Sequence, residues 1–178
     1  KDYEGANTEY FLLCGDGTLK CWGRNNNGEL GMGNTNLQNT IITSNFTTVA
    51  TSAGTKIVKI VTGRHHLLAL LENGKILSSG LNNYGQLGIG STTNQTTPQT
   101  VSVLDGSGDD KFVVDIASTN YNGYAVTKDG KLWSWGMSST GDGGDSGSLS
   151  RGGSNTSPGK VTDGSSEISN VKRWGIDC

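Results

Sequence analysis

Two adjacent histidines, His65 and His66, are the only imidazoles in the chain and the first candidates for acid–base chemistry or metal binding. Adjacent side chains on a strand point to opposite faces, so the pair is poorly placed to hold one metal ion. A catalytic role also needs a third group, and no nucleophile elbow or pair of carboxylates accompanies them. The sequence therefore predicts no catalytic residue and no metal site, and it favours a packing and hydrogen-bonding role for His66.

Two glycine-rich stretches resemble phosphate-binding loops: GRNNNGELGMG at 23–33 and GLNNYGQLGIG at 80–90. Neither continues into Gly-Lys-Ser/Thr or opens a helix, as a phosphate loop requires. DGSGDD at 105–110 starts like a calcium loop, but its twelfth position is Ile116 instead of a bidentate glutamate. GDGGDSGS at 141–148 is similar to a calcium-binding nonapeptide but occurs only once. We therefore expect no cofactor.

Cys14 and Cys21 lie on either side of an Asp-Gly turn at 16–17 and are candidates for a disulfide. In a hairpin with a two-residue turn, Cys14 would face Leu19 and Cys21 would face Leu12. The two thiols would then share a face but sit diagonally, about 7 Å or more apart, beyond comfortable bridging distance. We therefore expect free, buried cysteines.

The Asp-Gly turn belongs to a block that occurs three times. The copies are DGTLKCWGRNNNGELGMG at 16–33, NGKILSSGLNNYGQLGIG at 73–90 and DGKLWSWGMSSTGDGGDS at 129–146, with spacings of 57 and 56 residues. An apolar run precedes each block, as in KIVKIVTG at 56–63. Repeats of this period are typical of modular architectures.

Each unit predicts four short strands. In the second unit they lie near 57–62, 66–72, 75–79 and 99–103, and the central two are joined by an Asn-Gly turn. The chain contains 28 glycines and no stretch with helical apolar spacing over three turns. The sequence therefore predicts an all-β protein of repeated sheets, each with about four antiparallel strands, as in a propeller blade.

The second unit carries the clearest family pattern, in HLLALLENGKILSSGLNNYGQLGIG at 66–90. It resembles the regulator of chromosome condensation repeat. The first unit has Glu29 where the second has Gln86, and the third departs further, with Asp142-Gly143 in place of Gln-Leu. The repeat positions that match are Gly17, Trp22, Gly23, Gly28, Leu30, Gly31, His66, Gly74, Gly80, Gly85, Leu87, Gly88, Gly130, Trp135, Gly136 and Gly141.

The resemblance implies a β-propeller, which in this family has seven blades. We expect unit one at about 1–57, unit two at 58–113, unit three at 114–170 and the start of a fourth at 171–178. Three blades cannot close a ring, because propellers have four to eight. We therefore expect the chain to be a piece of a larger protein, or else to complete its ring with further copies or partners.

The glycine-rich blocks are interpreted as architecture. Glycine permits sharp turns and close approach to the next blade, and asparagine tolerates left-handed backbone and bonds nearby main chain. Leu30 and Leu87 are expected to fill the core between blades, and Trp22 and Trp135 to supply apolar area between sheets. Ser79 takes the tryptophan position in the second unit, so packing is expected to differ there.

Composition limits the classes of partner. The net charge is −2 and Lys and Arg are scattered, which disfavours nucleic-acid binding. No apolar run reaches the length of a membrane span. The polar surface, rich in Asn, Thr and Gly, suits a virion or secreted protein, such as part of a phage tail or capsid, although the compartment itself is not determined.

The resemblance implies a rigid disc whose loops bind other proteins. We predict a non-enzymatic interaction or structural module, with binding residues in the variable loops 34–55, 91–98, 104–110 and 137–158. One alternative is a regulator that promotes guanine-nucleotide exchange on a small GTPase. Light sensing through tryptophans and hydrolase activity are further alternatives, and no catalytic motif supports the hydrolase.

Overall fold

Three antiparallel sheets follow one another in a computed structural model that describes residues 8–138, 154–163 and 166–172. The first sheet contains β1 (Glu9–Leu13), β2 (Leu19–Gly23) and β3 (Gln38–Thr43). A helix, α1 (Asn45–Ser52), leads to the second sheet, which contains β4 (Ile57–Gly63), β5 (His66–Leu71), β6 (Ile76–Gly80) and β7 (Gln95–Thr100). The third contains β8 (Val113–Ser118), β9 (Asn122–Thr127), β10 (Leu132–Gly136) and β11 (Gly159–Lys160).

Each sheet is a meander, because its strands pair in chain order. This is the predicted all-β arrangement of repeated propeller blades, with three strands in the described part of the first sheet and four in each of the others. The unit boundaries at 57, 113 and 170 stay a prediction. Among the described residues, no helix has both the length and the apolar character needed to cross a membrane.

The three central hairpins share one turn, which is longer than the predicted two-residue turn. The Leu71 N–H donates to the Lys75 carbonyl and the Gly74 N–H to the Leu71 carbonyl, both at 2.9 Å, so three residues form the loop. Equivalent bonds close the other two hairpins. The glycine at the third loop position has a positive φ, 87° at Gly17 and 78° at Gly74 and Gly130. This conformation favours glycine and is typical of three-residue hairpin loops.

The longer turn changes the expected register by one residue. Cys21 pairs with Phe11, whereas a two-residue turn would have placed it opposite Leu12. Side chains alternate between the two faces of a strand. Cys21 therefore lies on the buried face, whereas Tyr10 and Leu12 lie on the exposed face. The predicted placement of Cys14 and Cys21 on a shared face is therefore wrong. Both are free thiols, Cys21 buried and Cys14 half-buried.

Two segments predicted as loops contain regular structure. The 34–55 segment holds β3 and α1, and Ser44 caps α1 by accepting a hydrogen bond from the Phe46 N–H. The sequence analysis looked for helical apolar spacing over three turns, and α1, with eight residues, is shorter than that. The fourth strand of the second sheet, β7, lies at 95–100 and not at 99–103, and it includes Pro98. Proline is compatible with this position because β7 is an edge strand.

The hydrophobic core lies between consecutive sheets. Between the second and third sheets it includes Leu68, Ile76, Ile116 and Trp135. Between the first and second sheets it includes Leu19 and Leu67 together with Phe46 and Ala50 of α1. Each blade therefore buries its apolar face only by stacking on the next blade, which fixes the positions of the loops at the two ends of the sheets.

Candidate protein-interaction surface

The glycine-rich blocks are held by their own asparagines. The Asn25 Oδ1 accepts from the Leu30 N–H and the Asn82 Oδ1 from the Leu87 N–H, each at 3.0 Å. The Asn82 Nδ2 donates to the Ser91 carbonyl and the Asn25 Nδ2 to the Asn34 carbonyl, each at 2.9 Å and just after the block. Both asparagines are fully buried, as are the two leucines. These amide groups are therefore occupied by the backbone of the block.

The glycines of each block lie against the next blade. A Cβ on Gly28 would lie 2.5 Å from the Thr96 Cα, and one on Gly85 would lie 2.6 Å from the Thr156 Cα. A Cβ on Gly31 would lie 2.6 Å from the Phe46 ring, and one on Gly88 would lie 2.9 Å from the Trp135 Nε1. Any side chain at Gly28, Gly85 or Gly88 would therefore push consecutive blades apart, and one at Gly31 would displace Phe46 of α1.

The tryptophan position has a different environment in each unit. Trp135 is fully buried and its Nε1 donates to the Gln86 carbonyl at 2.8 Å. The Ser79 Oγ donates to the equivalent carbonyl of Glu29 at 3.1 Å, so a hydroxyl replaces the indole in the second unit. Trp22 is half-buried and stacks on Tyr10 at 5.2 Å between ring centroids, rather than lying between two described sheets.

The remaining repeat positions lie in turns and at strand ends. Gly17, Gly74 and Gly130 form the hairpin loops. Gly23, Gly80 and Gly136 end the second or third strand of their sheets with φ of 95°, 106° and 107°. Gly141 lies outside the described residues.

His66 is wholly enclosed between the second and third sheets. Its Nε2 lies 2.9 Å from the Ser118 Oγ, and that hydroxyl is also near the carbonyls of Thr119 and Asn122. Burial lowers the pKa of His66 to about 4, so the imidazole is neutral near pH 7. Since only 1% of His66 is exposed, this serine–histidine pair has no access for a substrate. It links two blades.

Strand direction sorts the connections to two ends of the sheets. The glycine-rich stretches 23–33 and 80–90, which follow β2 and β6, and the short turns at 64–65 and 119–121 lie at one end, here called the glycine-loop end. The three-residue hairpin loops, α1 and the 101–112 connection lie at the opposite, hairpin end. The predicted binding loops are therefore not brought together: 91–94 lies at the glycine-loop end and 104–110 at the hairpin end. Residues 139–153 of the 137–158 loop lie outside the described residues.

An aromatic and cationic group marks the glycine-loop end, where the second and third blades meet. The rings of Tyr84 and Tyr121 meet edge to face at 5.1 Å between centroids. The guanidinium of Arg64 lies 5.8 Å from the Tyr121 centroid, and its Nη1 donates to the Tyr121 hydroxyl. Tyr84 is 43% exposed. We call Arg64, Tyr84 and Tyr121 the tyrosine surface.

A groove of about 300 Å³ continues from the tyrosine surface. Tyr84 is shared by both, and the other walls include Asn83, Thr92, Met137 and Asn155. The sequence analysis missed the tyrosine surface because these residues do not belong to the repeat pattern. The sequence signal that could have found this surface is a difference between the repeats, because Tyr84 occupies the position that is Asn27 in the first unit.

A second polar group lies at the same end, between the first and second blades. The Arg24 Nη1 lies 3.0 Å from the His65 Nε2, and the His65 Nδ1 lies 3.4 Å from the Glu9 Oε1. The Glu29 carboxylate is fully buried 3.7 Å from the Arg24 Nε. Burial raises the pKa of Glu29. We call Glu9, Arg24, Glu29 and His65 the first-junction cluster.

The stacked antiparallel meanders, with three or four described strands each and joined through buried glycine-rich corners, define a β-propeller repeat protein. The regulator of chromosome condensation (RCC1) repeat matches residues 16–70 and 73–126, and a second form of the same repeat matches 57–86 and 113–142. The chain therefore belongs to the RCC1 repeat family, as the sequence analysis predicted.

Related proteins share the repeats but are much longer. The chain is 40% identical over 126 residues to the RCC1 domain-containing protein RUG3, mitochondrial, of Arabidopsis thaliana, covering 71% of this chain and 26% of RUG3. It is 31% identical over 130 residues to the X-linked retinitis pigmentosa GTPase regulator of Homo sapiens, covering 73% of this chain and 12% of that protein. The chain thus spans about a quarter or less of these relatives.

Solved structures share the fold at low identity. Human WBSCR16 superposes with a TM-score of 0.68 at 19% identity, covering 92% of this chain and 40% of that one. Prp20p of Saccharomyces cerevisiae, described with its binding properties to Gsp1p and histones, superposes with a TM-score of 0.69 at 19% identity. That match covers 89% of this chain and 37% of Prp20p, and it supports the propeller fold.

Proposed function

We propose that the chain is a non-enzymatic protein-interaction module that binds a partner protein through the tyrosine surface. The observation that carries the proposal is the convergence of Arg64, Tyr84 and Tyr121 from two blades beside a groove. Tyrosine and arginine are enriched among the residues that dominate binding energy at protein interfaces. The rigid tyrosine rings provide contact area at low conformational cost.

The rigidity of the scaffold supports this role. Arg64 and Tyr121 lie in short turns at the ends of β4 and β8, and the Arg64 N–H donates to the Asn120 carbonyl at 2.9 Å. The partner surface is therefore held by two stacked blades rather than by one mobile loop. We further propose that the repeated glycine, leucine and tryptophan positions are architectural and belong to no ligand site.

A photo-crosslinking residue placed at the exposed Asn83, which lines the groove beside Tyr84, tests the interaction and leaves the tyrosine surface intact. In an extract of the source cells, we expect position 83 to be cross-linked to one predominant protein. The matched control carries the same residue at Glu72, which is exposed at the hairpin end. Equal cross-linking from both positions, or none from position 83, would contradict the proposal.

Alanine variants then measure the contribution of the surface. Tyr84→Ala and Tyr121→Ala are each expected to weaken binding of the captured protein at least 10-fold, since truncating a dominant interface residue costs about 2 kcal/mol or more. Glu72→Ala is expected to leave the affinity unchanged. Unchanged affinity in both tyrosine variants would contradict the proposal.

A more specific candidate is regulation of a small GTPase. It is supported by the names of two similar proteins, a GTPase regulator and the Gsp1p-binding Prp20p. Release of a fluorescent guanine nucleotide from purified small GTPases tests it directly. Accelerated release that is lost in Tyr84→Ala would support exchange activity, whereas binding without acceleration would leave only the interaction role. The virion or secreted setting stays a prediction from composition.

A further inference from the structure

The first-junction cluster brings two carboxylates and an imidazole together between blades. Glu9 begins β1, Glu29 belongs to the first glycine-rich block, and His65 lies in the turn between β4 and β5. One ligand atom from each, the two carboxylate oxygens and a ring nitrogen, all lie within 4.8 Å of one another. Three residues from distant parts of the chain thus converge on one small volume.

One carboxylate oxygen of this cluster has no hydrogen bond among the described residues. The Glu29 Oε2 accepts from the Asn27 N–H at 2.7 Å, but the Glu29 Oε1 is buried without a hydrogen bond. The nearest cation, Arg24, does not satisfy it, because the Arg24 Nε is 3.7 Å away and also lacks a hydrogen-bond partner. A fully buried carboxylate oxygen that has a distant ion pair but no hydrogen bond is costly unless a closer cation or donor meets it.

The second junction shows that blade stacking does not require these residues. In the second unit, Leu81 lies at the position of Arg24, and Gln86 lies at the position of Glu29. Tyr121 stands in place of His65. The junctions otherwise match, because the Gln86 Oε1 accepts from the Tyr84 N–H at 2.9 Å, as Glu29 does from Asn27. The ligand set is specific to the first junction.

We propose that Glu9, Glu29 and His65 form a binding site for a zinc-like transition-metal dication. Imidazole and carboxylate are ligands that Zn²⁺ accepts, and three protein ligands with one water complete a tetrahedral shell. The 3.4 Å between the His65 Nδ1 and the Glu9 Oε1 is close to the separation of two ligands each about 2.1 Å from zinc. Ca²⁺ and Mg²⁺ fit poorly, because they need six or more oxygen ligands.

Arg24 is the cation paired with Glu29, and its side chain has to move when metal binds. Its Nη1 donates to the His65 Nε2, which requires the hydrogen of the neutral ring to be on Nδ1. Metal binding at Nδ1 shifts that hydrogen to Nε2 and ends this bond. The Arg24 side chain is 23% exposed and His65 is 18% exposed, so Arg24 can turn outward and the ion has a path inward.

Titration of the full chain with Zn²⁺ against a chromophoric chelator tests the site. We expect one tight equivalent, and Co²⁺ in its place is expected to give the strong visible absorption of a tetrahedral site. Glu29→Gln is expected to weaken binding about 100-fold, the upper end of the loss seen when even an outer-shell partner of a metal is removed. It should fold, because Gln86 occupies the equivalent place. Arg24→Leu, which introduces the residue type found at the equivalent Leu81, is expected to tighten binding by removing the competing cation.

The controls separate this site from adventitious binding. Glu72→Gln removes an exposed carboxylate at the hairpin end and is expected to leave the affinity unchanged. Zinc held by Cys14, Cys21 or Cys178 would survive Glu29→Gln and would give thiolate charge-transfer absorption with Co²⁺. Equal affinity in wild type and Glu29→Gln, or no stoichiometric binding of Zn²⁺ or Co²⁺, would overturn the proposal. So would binding of Mg²⁺ or Ca²⁺ as tight as that of Zn²⁺.

Discussion

The Trp135 indole donates a 2.8 Å hydrogen bond to the carbonyl oxygen of Gln86, which joins the third sheet to the glycine-rich block of the second unit. The same ring lies against Gly88 and is fully buried. One side chain therefore supplies both apolar contact and a polar tether between blades. Trp22, at the same position of the first unit, has only its stacking on Tyr10 among the contacts described.

The first prediction compares these two tryptophans. Trp135→Phe keeps an aromatic ring but leaves the buried Gln86 carbonyl without its donor, so we expect a loss of about 1–3 kcal/mol in the free energy of unfolding. Trp22→Phe retains stacking at a half-buried site and is expected to cost less than about 1 kcal/mol. Chemical denaturation of both variants measures the difference. Equal losses would show that the indole hydrogen bond does not stabilise the junction.

Sequence reasoning was sufficient for the repeated architecture. The Asx-Gly pairs mark each hairpin because the aspartate or asparagine side chain accepts from a backbone N–H two residues on, as the Asp16 Oδ1 does from Thr18 at 2.8 Å. The following glycine supplies the positive φ. Both requirements are local, so they are visible in a short stretch of sequence.

The exact turn length and the contacts between distant residues were not predictable. A two-residue and a three-residue turn share the same Asp-Gly pair, so the hairpin register came out one residue wrong. The first-junction cluster joins Glu9, Glu29 and His65 across 57 residues of sequence, and no local spacing indicates it. The tyrosine surface likewise exists only because two blades stack.

The second prediction concerns the close approach of glycines to the next blade. Gly85→Ala places a Cβ 2.6 Å from the Thr156 Cα at a position with φ of 78°, so both steric overlap and backbone strain oppose it. We expect a loss of about 3 kcal/mol in the free energy of unfolding. Gly54→Ala is the matched control, since its φ is 66° but no atom lies within 4 Å of the added Cβ.

For Gly54→Ala, backbone strain alone predicts a loss of about 1 kcal/mol. Thermal and chemical unfolding of the two variants separate strain from overlap. If Gly85→Ala were no less stable than Gly54→Ala, the tight packing between the second glycine-rich block and the third sheet would be refuted.

The third prediction concerns the asparagine that holds the second block. Asn82→Ala removes bonds to the Leu87 N–H and to the Ser91 and Thr93 carbonyls, all in a buried site. We expect a loss of about 3 kcal/mol in the free energy of unfolding, since unsatisfied buried groups each cost about 1–3 kcal/mol. The neighbouring Asn83 is exposed, and Asn83→Ala is expected to change stability by less than about 0.5 kcal/mol.

The intermediate variant Asn82→Asp identifies which bonds matter. The carboxylate can still accept from the Leu87 N–H but cannot donate to the two carbonyls. It is expected to fold less stably than the wild type at neutral pH. Similar stability of Asn82→Ala and Asn83→Ala in denaturation would contradict the role of Asn82 in ordering the block.

The fourth prediction concerns the reactivity of the two described cysteines. Burial raises the pKa of Cys21 to about 11, and its Sγ donates to the Leu30 carbonyl at 3.8 Å within a site closed to solvent. Because only the thiolate reacts with iodoacetamide, Cys21 is expected to stay unmodified in the folded protein at pH 8. Half-buried Cys14 is expected to react first.

Peptide mass spectrometry distinguishes the sites, and denaturant is expected to make Cys21 react as fast as Cys14. Rapid modification of Cys21 without denaturant would mean that the first sheet is not closed over it, as the observed hairpin register requires.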